Sequence, residues 1–178
     1  GCRPLEFGSA AESRELNTVI VAAHPAAGGW SHASIVARRP FTGWWEYALD
    51  DAIFTAPARE NHSGAALLDA AGRLIGVGSL WVGDAIDSDA AFPGNMFVPT
   101  DLLAPILADL KAQGRRRGCA RPWLGVYSEA LLGHVIITQV LRDAPAARGG
   151  LRRGDVILAV GGEAVSSLSG FYHALWAS

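Results

Sequence analysis

Ser63 is the residue of this sequence whose neighbours best suit nucleophilic chemistry. It lies in the run NHSGAALLDAAGRLIG, residues 61–76, at a turn before an apolar segment. A serine hydroxyl becomes a nucleophile when a base, usually a His oriented by a carboxylate, takes its proton. Two backbone N–H groups must also face the oxyanion that develops. A Gly or Ala at position 63 would close the same hairpin equally well, so a purely structural role for Ser63 is the alternative.

None of the five His residues is a convincing base for Ser63. His62 is adjacent to it, but adjacent side chains on an extended chain point apart. His24 precedes Pro25 at a predicted strand end, and His32 begins the next predicted strand. The other two, His134 and His173, belong to the C-terminal part. We therefore expect all five to be surface or packing residues, and we expect this chain as it stands not to cleave peptides.

The segments around Ser63 predict many short strands. Short β-branched runs bounded by turn residues indicate strands over 17–25, 31–39 and 50–57. The stretch 64–82 has apolar runs on either side of DAAGR, which predicts a hairpin. Ser63 would then stand at the entry to that hairpin.

A helix is predicted over 99–114, where five apolar residues form one stripe. Thr100 or Asp101 is expected to cap its start, and Gly114 suits its C-terminal end. Pro105 falls near the first turn, where the loss of an N–H costs least. The stripe consists of Leu102, Leu103, Ile106, Leu107 and Leu110.

A different module follows Arg121. The order PWLGV, strand GHVIITQV, short helix DAPAARGGL, strand RGDVILAVGG and helix SLSGFYHALWAS predicts a small α+β unit. It stops abruptly, with the helix still running at Ser178. We expect the chain to be cut inside this module, and an incomplete sheet to be of low stability in isolation.

Composition excludes several classes of protein. Half of the 178 residues are hydrophobic and 18% are charged, which supports a sizeable core. The net charge of −2 gives no long-range attraction to nucleic acid. No apolar run approaches the roughly 20 residues of a membrane helix, and no secretory signal opens the chain. Without an initial Met the chain is expected to be a mature form or a fragment, and Cys2 and Cys119 define no disulfide framework.

The order of these segments resembles the HtrA/Deg family of trypsin-like serine proteases, which carry C-terminal PDZ domains. VIVAAHPAAGGWSHASIVARR, NHSGAALLDAAGRLIGV and GNMFVPTDLLAPILADLKAQG are similar to successive parts of the protease domain. RPWLGV and APAARGGLRRGDVILAVGGEAV are similar to the PDZ domain. The resemblance implies a mainly β chain: the C-terminal barrel of a chymotrypsin-fold protease with its closing helix over 1–114, an Arg-rich linker over 115–121, and a truncated PDZ domain over 122–178.

The resemblance also implies the catalytic roles. It makes Ser63 the nucleophile, with the backbone N–H groups of Asn61 and Ser63 as oxyanion donors. The His and Asp of the triad belong to the first barrel of the family, which would lie upstream of Gly1. Asn61 stands where the family has Gly, and Asn is one of the few other residues that tolerate a positive φ. His62 and the pair Ala65–Ala66 also depart from the family motif Gly-Asn-Ser-Gly-Gly-Pro.

The PDZ resemblance implies a groove for peptide C-termini. Such domains add a peptide as an extra strand and hold its carboxylate in a nest of backbone N–H groups. The carboxylate loop corresponds to Trp123, Leu124, Gly125 and Val126. The walls of the pocket correspond to Leu168, Phe171 and Leu175, at helical spacings of three and four. The same three residues are expected to serve the core.

Three functional hypotheses remain open from the sequence. The first is a fragment of an HtrA-like endopeptidase that acts on misfolded or PDZ-recruited proteins. The second is a protease-like scaffold that binds peptide C-termini without cleaving them. The third is a regulatory subunit of a homo-oligomer, a trimer by family resemblance. The resemblance implies a periplasmic or cell-envelope location and polypeptide partners, and no metal or organic cofactor.

Overall fold

The computed structural model describes residues 3–87, 91–118 and 120–177. Cys2, Cys119 and Ser178 lie outside them. The described chain divides into two compact units, the first made of 3–40, 50–87 and 91–117 and the second of 41–49, 118 and 120–177. Within the described part, no helix combines the length and apolar character required to span a bilayer. The predicted boundaries 1–114, 115–121 and 122–178 stay a prediction, and the membership of 41–49 in the second unit was not foreseen.

The first unit is built on a closed six-stranded antiparallel barrel. Its strands follow one another in the order β1-β2-β3-β6-β5-β4. Their bounds are β1 Thr18–Ala22, β2 Trp30–Gly43, β3 Tyr47–Ala56, β4 Ala66–Leu68, β5 Leu74–Val82 and β6 Gly94–Pro99. The strands predicted over 17–25, 31–39 and 50–57 and the predicted hairpin over 64–82 are confirmed. Closure leaves no exposed sheet edge, so the barrel is a rigid frame for its loops.

Alternation along the strands places one face of each in the barrel interior. In β1, for example, Val19 and Val21 are buried while the residues between and beside them are not. The buried cluster of this unit consists of Ala10, Val19, Val21, Ala33, Ile35, Ile53, Ala65, Leu67, Ile75 and Phe97. Ala65 and Leu67 belong to it, so the segment just after Ser63 is anchored in the core.

The turn between β4 and β5 is held by the Asp69 carboxylate. Its Oδ1 accepts hydrogen bonds from the N–H groups of Ala71 and Arg73, each at 2.9 Å. Its Oδ2 forms an ion pair with the Arg73 guanidinium at 2.8 Å. Burial acts to raise the pKa of Asp69, but these hydrogen bonds outweigh it and the pKa lies below its ordinary value. The predicted turn DAAGR is therefore closed by one charged side chain.

The predicted helix over 99–114 is shorter than expected. Two 3₁₀ turns, Thr100–Leu102 and Ala104–Ile106, precede an α-helix, α1, over Leu107–Gln113. Pro105 lacks an N–H and restricts the residue before it, so a regular helix begins only after it. Asp101 does not cap the helix; its carboxylate accepts a hydrogen bond from the Ala11 N–H at 2.9 Å. Gly114 ends the helix with a φ of 68°, as predicted.

The second unit is a small α+β module. Its strands are β7 Val126–Leu131, β8 His134–Val140, β9 Val156–Ile157, β10 Ala159–Val160 and β11 Glu163–Ala164, with helices α2 Pro145–Arg148 and α3 Leu168–Ala177. β7, β8 and β9 form a sheet in that order, and β10 pairs with β11. The single strand predicted over 153–162 is therefore wrong, because its two halves pair with different partners. The predicted strand over 133–140 and both predicted helices are confirmed.

Candidate functional site

Ser63 occupies a tight turn that two strands hold in place. The Ala65 N–H donates to the His62 carbonyl at 2.9 Å, which closes the turn. Gly64 takes a φ of 73° at the third position, where a residue without Cβ costs least. The turn is bound to β5 by Gly64 N–H to Gly78 O and Gly78 N–H to Ala65 O, both 2.8 Å. The Ser63 side chain remains exposed at the surface.

An open cavity of about 360 Å³ lies in front of Ser63. Its lining consists of Ala23, His24, Glu60, Asn61, Ser63, Gly64 and Ala65. Ser63 and Asn61, the two residues predicted for attack and oxyanion binding, thus share one cleft. Access of this kind is the minimum that a serine nucleophile requires.

The backbone N–H groups of Asn61 and Ser63 are the two predicted oxyanion donors. Neither donates a hydrogen bond to another residue within 3–87, 91–118 or 120–177. Asn61 is not among the residues with a positive φ, so the ability of Asn to adopt a positive φ is not used at this position. The oxyanion role of the two groups stays a prediction.

The loop before Ser63 is positioned by a buried amide that the sequence did not reveal. Asn95 on β6 is fully buried. Its Oδ1 accepts from the Arg59 N–H at 2.7 Å, and its Nδ2 donates to the Arg59 carbonyl at 3.0 Å. The Arg59 guanidinium in turn donates to Ser31 Oγ on β2. A polar residue inside a strand was the only sequence signal for this contact.

The histidines nearest to Ser63 have ring nitrogens already engaged. His62 Nδ1 faces the carbonyls of Arg59 at 2.8 Å and Glu60 at 3.1 Å, so this nitrogen carries the proton. His24 Nδ1 accepts from the Ala26 N–H at 3.2 Å, so its neutral ring carries the proton on Nε2. A general base needs an unprotonated nitrogen facing the hydroxyl. For His24, the free nitrogen is the protonated one.

In the second unit, the loop before β7 surrounds a carboxylate. The N–H groups of Leu124, Gly125 and Val126 donate to the Glu46 carboxylate at 2.9, 2.6 and 2.9 Å. Three convergent N–H groups form the nest expected of an anion site. Glu46 lies in the loop between β2 and β3 and has a φ of 53°, which is uncommon for a residue with a side chain. No local sequence pattern connects Glu46 with this loop.

The residues before Glu46 lie along the edge strand β7. The Ser128 N–H donates to the Trp44 carbonyl at 2.9 Å, two positions beyond the contact of Val126 with Glu46. The Trp44 ring packs on Tyr127, with ring centroids 4.9 Å apart. Residues 44–46 therefore run antiparallel to the start of β7, on the side away from β8.

Helix α3 contributes a tyrosine to the same contact. Tyr172 is fully buried, and its hydroxyl donates to the Gly43 carbonyl and accepts from the Glu46 N–H, each at 3.0 Å. Burial raises the pKa of Tyr172, so the phenol stays neutral and keeps both bonds. Phe171 and Leu175, predicted as pocket walls, are buried in the core of this unit, and Leu168 packs against that core. Their role in a groove stays a prediction.

Gly125 is required by packing within the unit. It has a φ of 76°, and a Cβ at this position would overlap the Ala144 side chain. The nearby Trp123 ring is 54% exposed. Trp123 lines an open cavity of about 360 Å³ together with Glu46, Arg121 and Trp176. All four residues predicted for the carboxylate loop thus lie at or beside the nest.

The comparisons with known proteins agree with this architecture. A family profile described as PDZ domain matches residues 136–175. The chain is 32% identical over 117 residues to a probable periplasmic serine endoprotease, DegP-like, of Pseudomonas savastanoi pv. phaseolicola, covering 58% of this chain and 23% of that protein. It is also 32% identical over 106 residues to the serine endoprotease DegS of Haemophilus influenzae, covering 58% of this chain and 30% of that protein.

Solved structures show the same relationship across both units. The HtrA-type protease AlgW with a decapeptide matches with a TM-score of 0.58 and 28% identity, covering 97% of this chain and 55% of that one. The same protease with a tripeptide matches with a TM-score of 0.54 and 27% identity, covering 96% of this chain and 58% of that one. The chain therefore spans a quarter to a third of these curated relatives and rather more than half of the solved chains.

Proposed function

Because this chain is an HtrA-type protease relative with a PDZ domain, we propose that it forms part of a serine endopeptidase with Ser63 as the nucleophile. Its substrates are misfolded or PDZ-recruited polypeptides. The observation that carries the proposal is the exposed Ser63 in an open cleft that Asn61 also lines. The N–H groups of Asn61 and Ser63, which the family resemblance assigns to the oxyanion, have no acceptor among the described residues.

The chemistry follows from what these groups offer. When a base removes its proton, Ser63 Oγ attacks a peptide carbonyl carbon, and the carbonyl oxygen becomes an oxyanion. Donors already aimed at this oxygen lower the barrier, because no reorganisation is needed during the reaction. The turn at Ser63 is fixed by backbone hydrogen bonds to β5, and the loop before it is held at Arg59 by Asn95, which supports such preorganisation.

The base is assigned to a first barrel that is not among these 178 residues. We propose that this chain by itself does not hydrolyse peptides. The free nitrogen of His24 carries the proton, and His62 is adjacent in sequence to Ser63, with its ring bound to the carbonyls of its own loop. With the first barrel present, its His accepts the Ser63 proton and its Asp orients that His. The relatives named as periplasmic endoproteases support a periplasmic or cell-envelope location, and family resemblance supports assembly as a homotrimer.

The second unit supplies peptide recruitment in this proposal. A peptide C-terminus adds as a strand beside β7, with its carboxylate on the N–H groups of Leu124, Gly125 and Val126. The peptide complexes of the similar protease AlgW support this assignment by analogy. Trp123, Leu168, Phe171 and Leu175 complete the proposed groove.

A fluorophosphonate probe tests the nucleophile directly. Full-length protein is labelled and compared with Ser63→Ala, and we expect labelling and casein hydrolysis to disappear in the variant. Ser166→Ala, at an exposed serine of the second unit, is the matched control and retains both. Equal labelling of the wild type and Ser63→Ala would show that Ser63 is not the nucleophile.

The second candidate is a scaffold that binds peptide C-termini without cleaving them. The observation that favours it is the replacement of the family Gly by Asn61, together with His62 bound to its own loop. In this case the full-length protein binds free-carboxylate peptides while Ser63 remains unlabelled. The labelling experiment therefore separates the two functions.

A further inference from the structure

The anion nest of the second unit already holds a carboxylate, and that carboxylate belongs to the chain itself. We propose that residues 43–46 are an intramolecular ligand of the peptide groove, so that a peptide C-terminus binds only by displacing Glu46. The inference rests on the proposed function of this groove as a peptide site. It adds what occupies the groove when no peptide is present, and which peptides compete.

One backbone hydrogen bond and one carboxylate contact join the segment to β7 and its preceding loop, at the two-residue spacing of an added strand. The Glu46 carboxylate accepts hydrogen bonds from the N–H groups of Leu124, Gly125 and Val126. These are the groups to which the proposed function assigns the terminal carboxylate of a peptide. Two residues earlier, the Trp44 carbonyl takes the Ser128 N–H of the edge strand. A period of two along an edge strand is that of β pairing. The difference is that a side chain, not a chain end, supplies the carboxylate.

The backbone of Glu46 is shaped for this substitution. Its φ of 53° turns the chain away from the nest directly after the residue whose side chain enters it. A terminal residue has no chain to redirect, whereas an internal residue needs such a turn to continue into β3. The left-handed conformation is uncommon for Glu, which indicates that the surrounding contacts hold it.

Further contacts from two elements hold the same segment. Tyr172 on α3 binds both the Gly43 carbonyl and the Glu46 N–H. Tyr127 on β7 packs against the Trp44 ring. An exposed Glu that met the nest by chance would need neither of them. With the contacts to the nest, residues 43–46 are bound to all three elements that border the proposed groove: the edge strand β7, the loop before it and helix α3.

Competition with an intramolecular ligand sets the affinity of the groove. A tethered ligand acts at an effective concentration on the order of millimolar, so an external peptide of equal intrinsic affinity must exceed that concentration to occupy most of the sites. The segment also indicates the chemistry of the competitor. We expect a free carboxylate, as in Glu46, and an aromatic residue two positions before it, as Trp44 packs on Tyr127.

Amide NMR of the chain without peptide tests the occupancy itself. The amide protons of Leu124, Gly125 and Val126 are compared between the wild type and Glu46→Gln, which keeps the shape but removes the charge. We expect all three to move upfield, because charge-assisted hydrogen bonds are lost. Glu163→Gln, at an exposed carboxylate on β11, is the control and leaves them in place. Shifts no larger in Glu46→Gln than in this control overturn the inference.

Peptide titration tests the competition. The labelled peptide Gly-Trp-Trp-Val is titrated as free acid and as amide into the wild type, Glu46→Gln, Glu46→Ala and Glu163→Gln. We expect the free acid to bind both Glu46 variants about tenfold more tightly than the wild type and the Glu163 control. The amide is expected to bind all four proteins weakly.

The outcomes separate this inference from the proposed function. If the free acid binds the wild type and both Glu46 variants equally, and better than the amide, the groove assignment stands and the intramolecular ligand is overturned. If the free acid and the amide bind the Glu46 variants equally, the carboxylate site fails, and displacement of Glu46 by a peptide carboxylate fails with it. The labelling of Ser63 is independent of both results.

Discussion

Two sets of backbone N–H groups in this chain suit a negatively charged oxygen, and they differ in what faces them. Those of Leu124, Gly125 and Val126 hold the Glu46 carboxylate. Those of Asn61 and Ser63 have no acceptor in the part of the chain that the structure describes. A filled nest suits equilibrium binding, in which one ligand replaces another. An open pair suits a charge that exists only in a transition state, since ground-state occupation would add nothing to the rate.

The two sets also differ in how the chain supports them. The turn at Ser63 is held by backbone bonds to β5, and the loop before it is held by the buried Asn95 on β6, so both supports come from strands of the closed barrel. The nest before β7 depends on a short loop at a sheet edge and on the segment that fills it. We expect substitutions that disturb the barrel supports to cost more than those that disturb the nest.

The largest effect is expected for Gly78→Ala. A Cβ at this position would overlap the backbone carbonyl oxygen of His62, which cannot rotate away as a flexible side chain would. The same glycine makes both hydrogen bonds that pin the turn at Ser63. We expect a loss of at least about 3 kcal/mol in the free energy of unfolding, measured in urea, with loss of probe labelling.

Gly83→Ala is the matched control, because a Cβ there meets only the edge of the Trp81 ring at 3.9 Å. We expect it to cost less than about 1 kcal/mol and to leave labelling unchanged. If the two variants lose the same free energy of unfolding, the Ser63 turn is able to shift away from position 78. The rigid support proposed for the turn is then absent.

Asn95→Ala is expected to come next. The variant leaves the half-buried Arg59 N–H without its acceptor and removes one of the two donors to the Arg59 carbonyl, at a cost of about 2 kcal/mol in the free energy of unfolding. Because Arg59 begins the approach to Ser63, the rate of probe labelling should fall as well. Asn17→Ala removes an exposed turn contact to Arg14 and serves as control, with unchanged labelling. A normal labelling rate in Asn95→Ala would contradict the positioning role.

The barrel was predictable from the sequence because its signals are local. Alternating apolar residues and turn residues located β1, β2, β3 and the β4–β5 hairpin, and the Ser63 motif marked the cleft. The helix at 99–114 was predicted too long, since the apolar stripe is visible in sequence while the effect of Pro105 on the 3₁₀ turns depends on the surrounding contacts.

The contacts that support the two N–H clusters were not predictable, because they join residues distant in sequence. Asn95 and Arg59 are 36 positions apart, and Glu46 and Gly125 are 79 apart. Nothing in the local pattern of GWWEY distinguishes a hairpin tip in solvent from one whose Glu binds the N–H groups before β7. The helical pattern marks the apolar neighbours of Tyr172 but not Tyr172 itself, because the partners of its hydroxyl, Gly43 and Glu46, are distant in sequence.

Tyr172→Phe tests the contacts that hold the Glu46 segment at the nest. It removes the hydroxyl that donates to the buried Gly43 carbonyl and accepts from the Glu46 N–H, at a cost of about 1 to 2 kcal/mol in the free energy of unfolding. We expect tighter binding of the free-acid peptide, by less than Glu46→Gln gives, because the nest keeps its carboxylate. Tyr127→Phe retains the ring against Trp44 and is the control for loss of a phenol. An unchanged peptide affinity in Tyr172→Phe would show that this anchor does not oppose displacement.

The smallest effect is expected for Asp69→Asn, which tests an internal carboxylate that no peptide displaces. Its folded pKa lies below the ordinary value, because the bonds from Arg73 and Ala71 outweigh burial, so its contribution is fully present above about pH 4 and is lost as pH falls through the folded pKa. At pH 7 the variant keeps an acceptor but loses the ion pair, and should be about 1 kcal/mol less stable. Urea unfolding from pH 7 to pH 3 should show this gap closing below about pH 4. Asp87→Asn, at an exposed carboxylate, is the control for replacing an Asp elsewhere in the unit. A gap that persists at pH 3 would mean that packing, and not charge, holds the turn. Asp69 would then no longer be an example of a carboxylate whose charge holds its own loop, which is the basis of its comparison with Glu46.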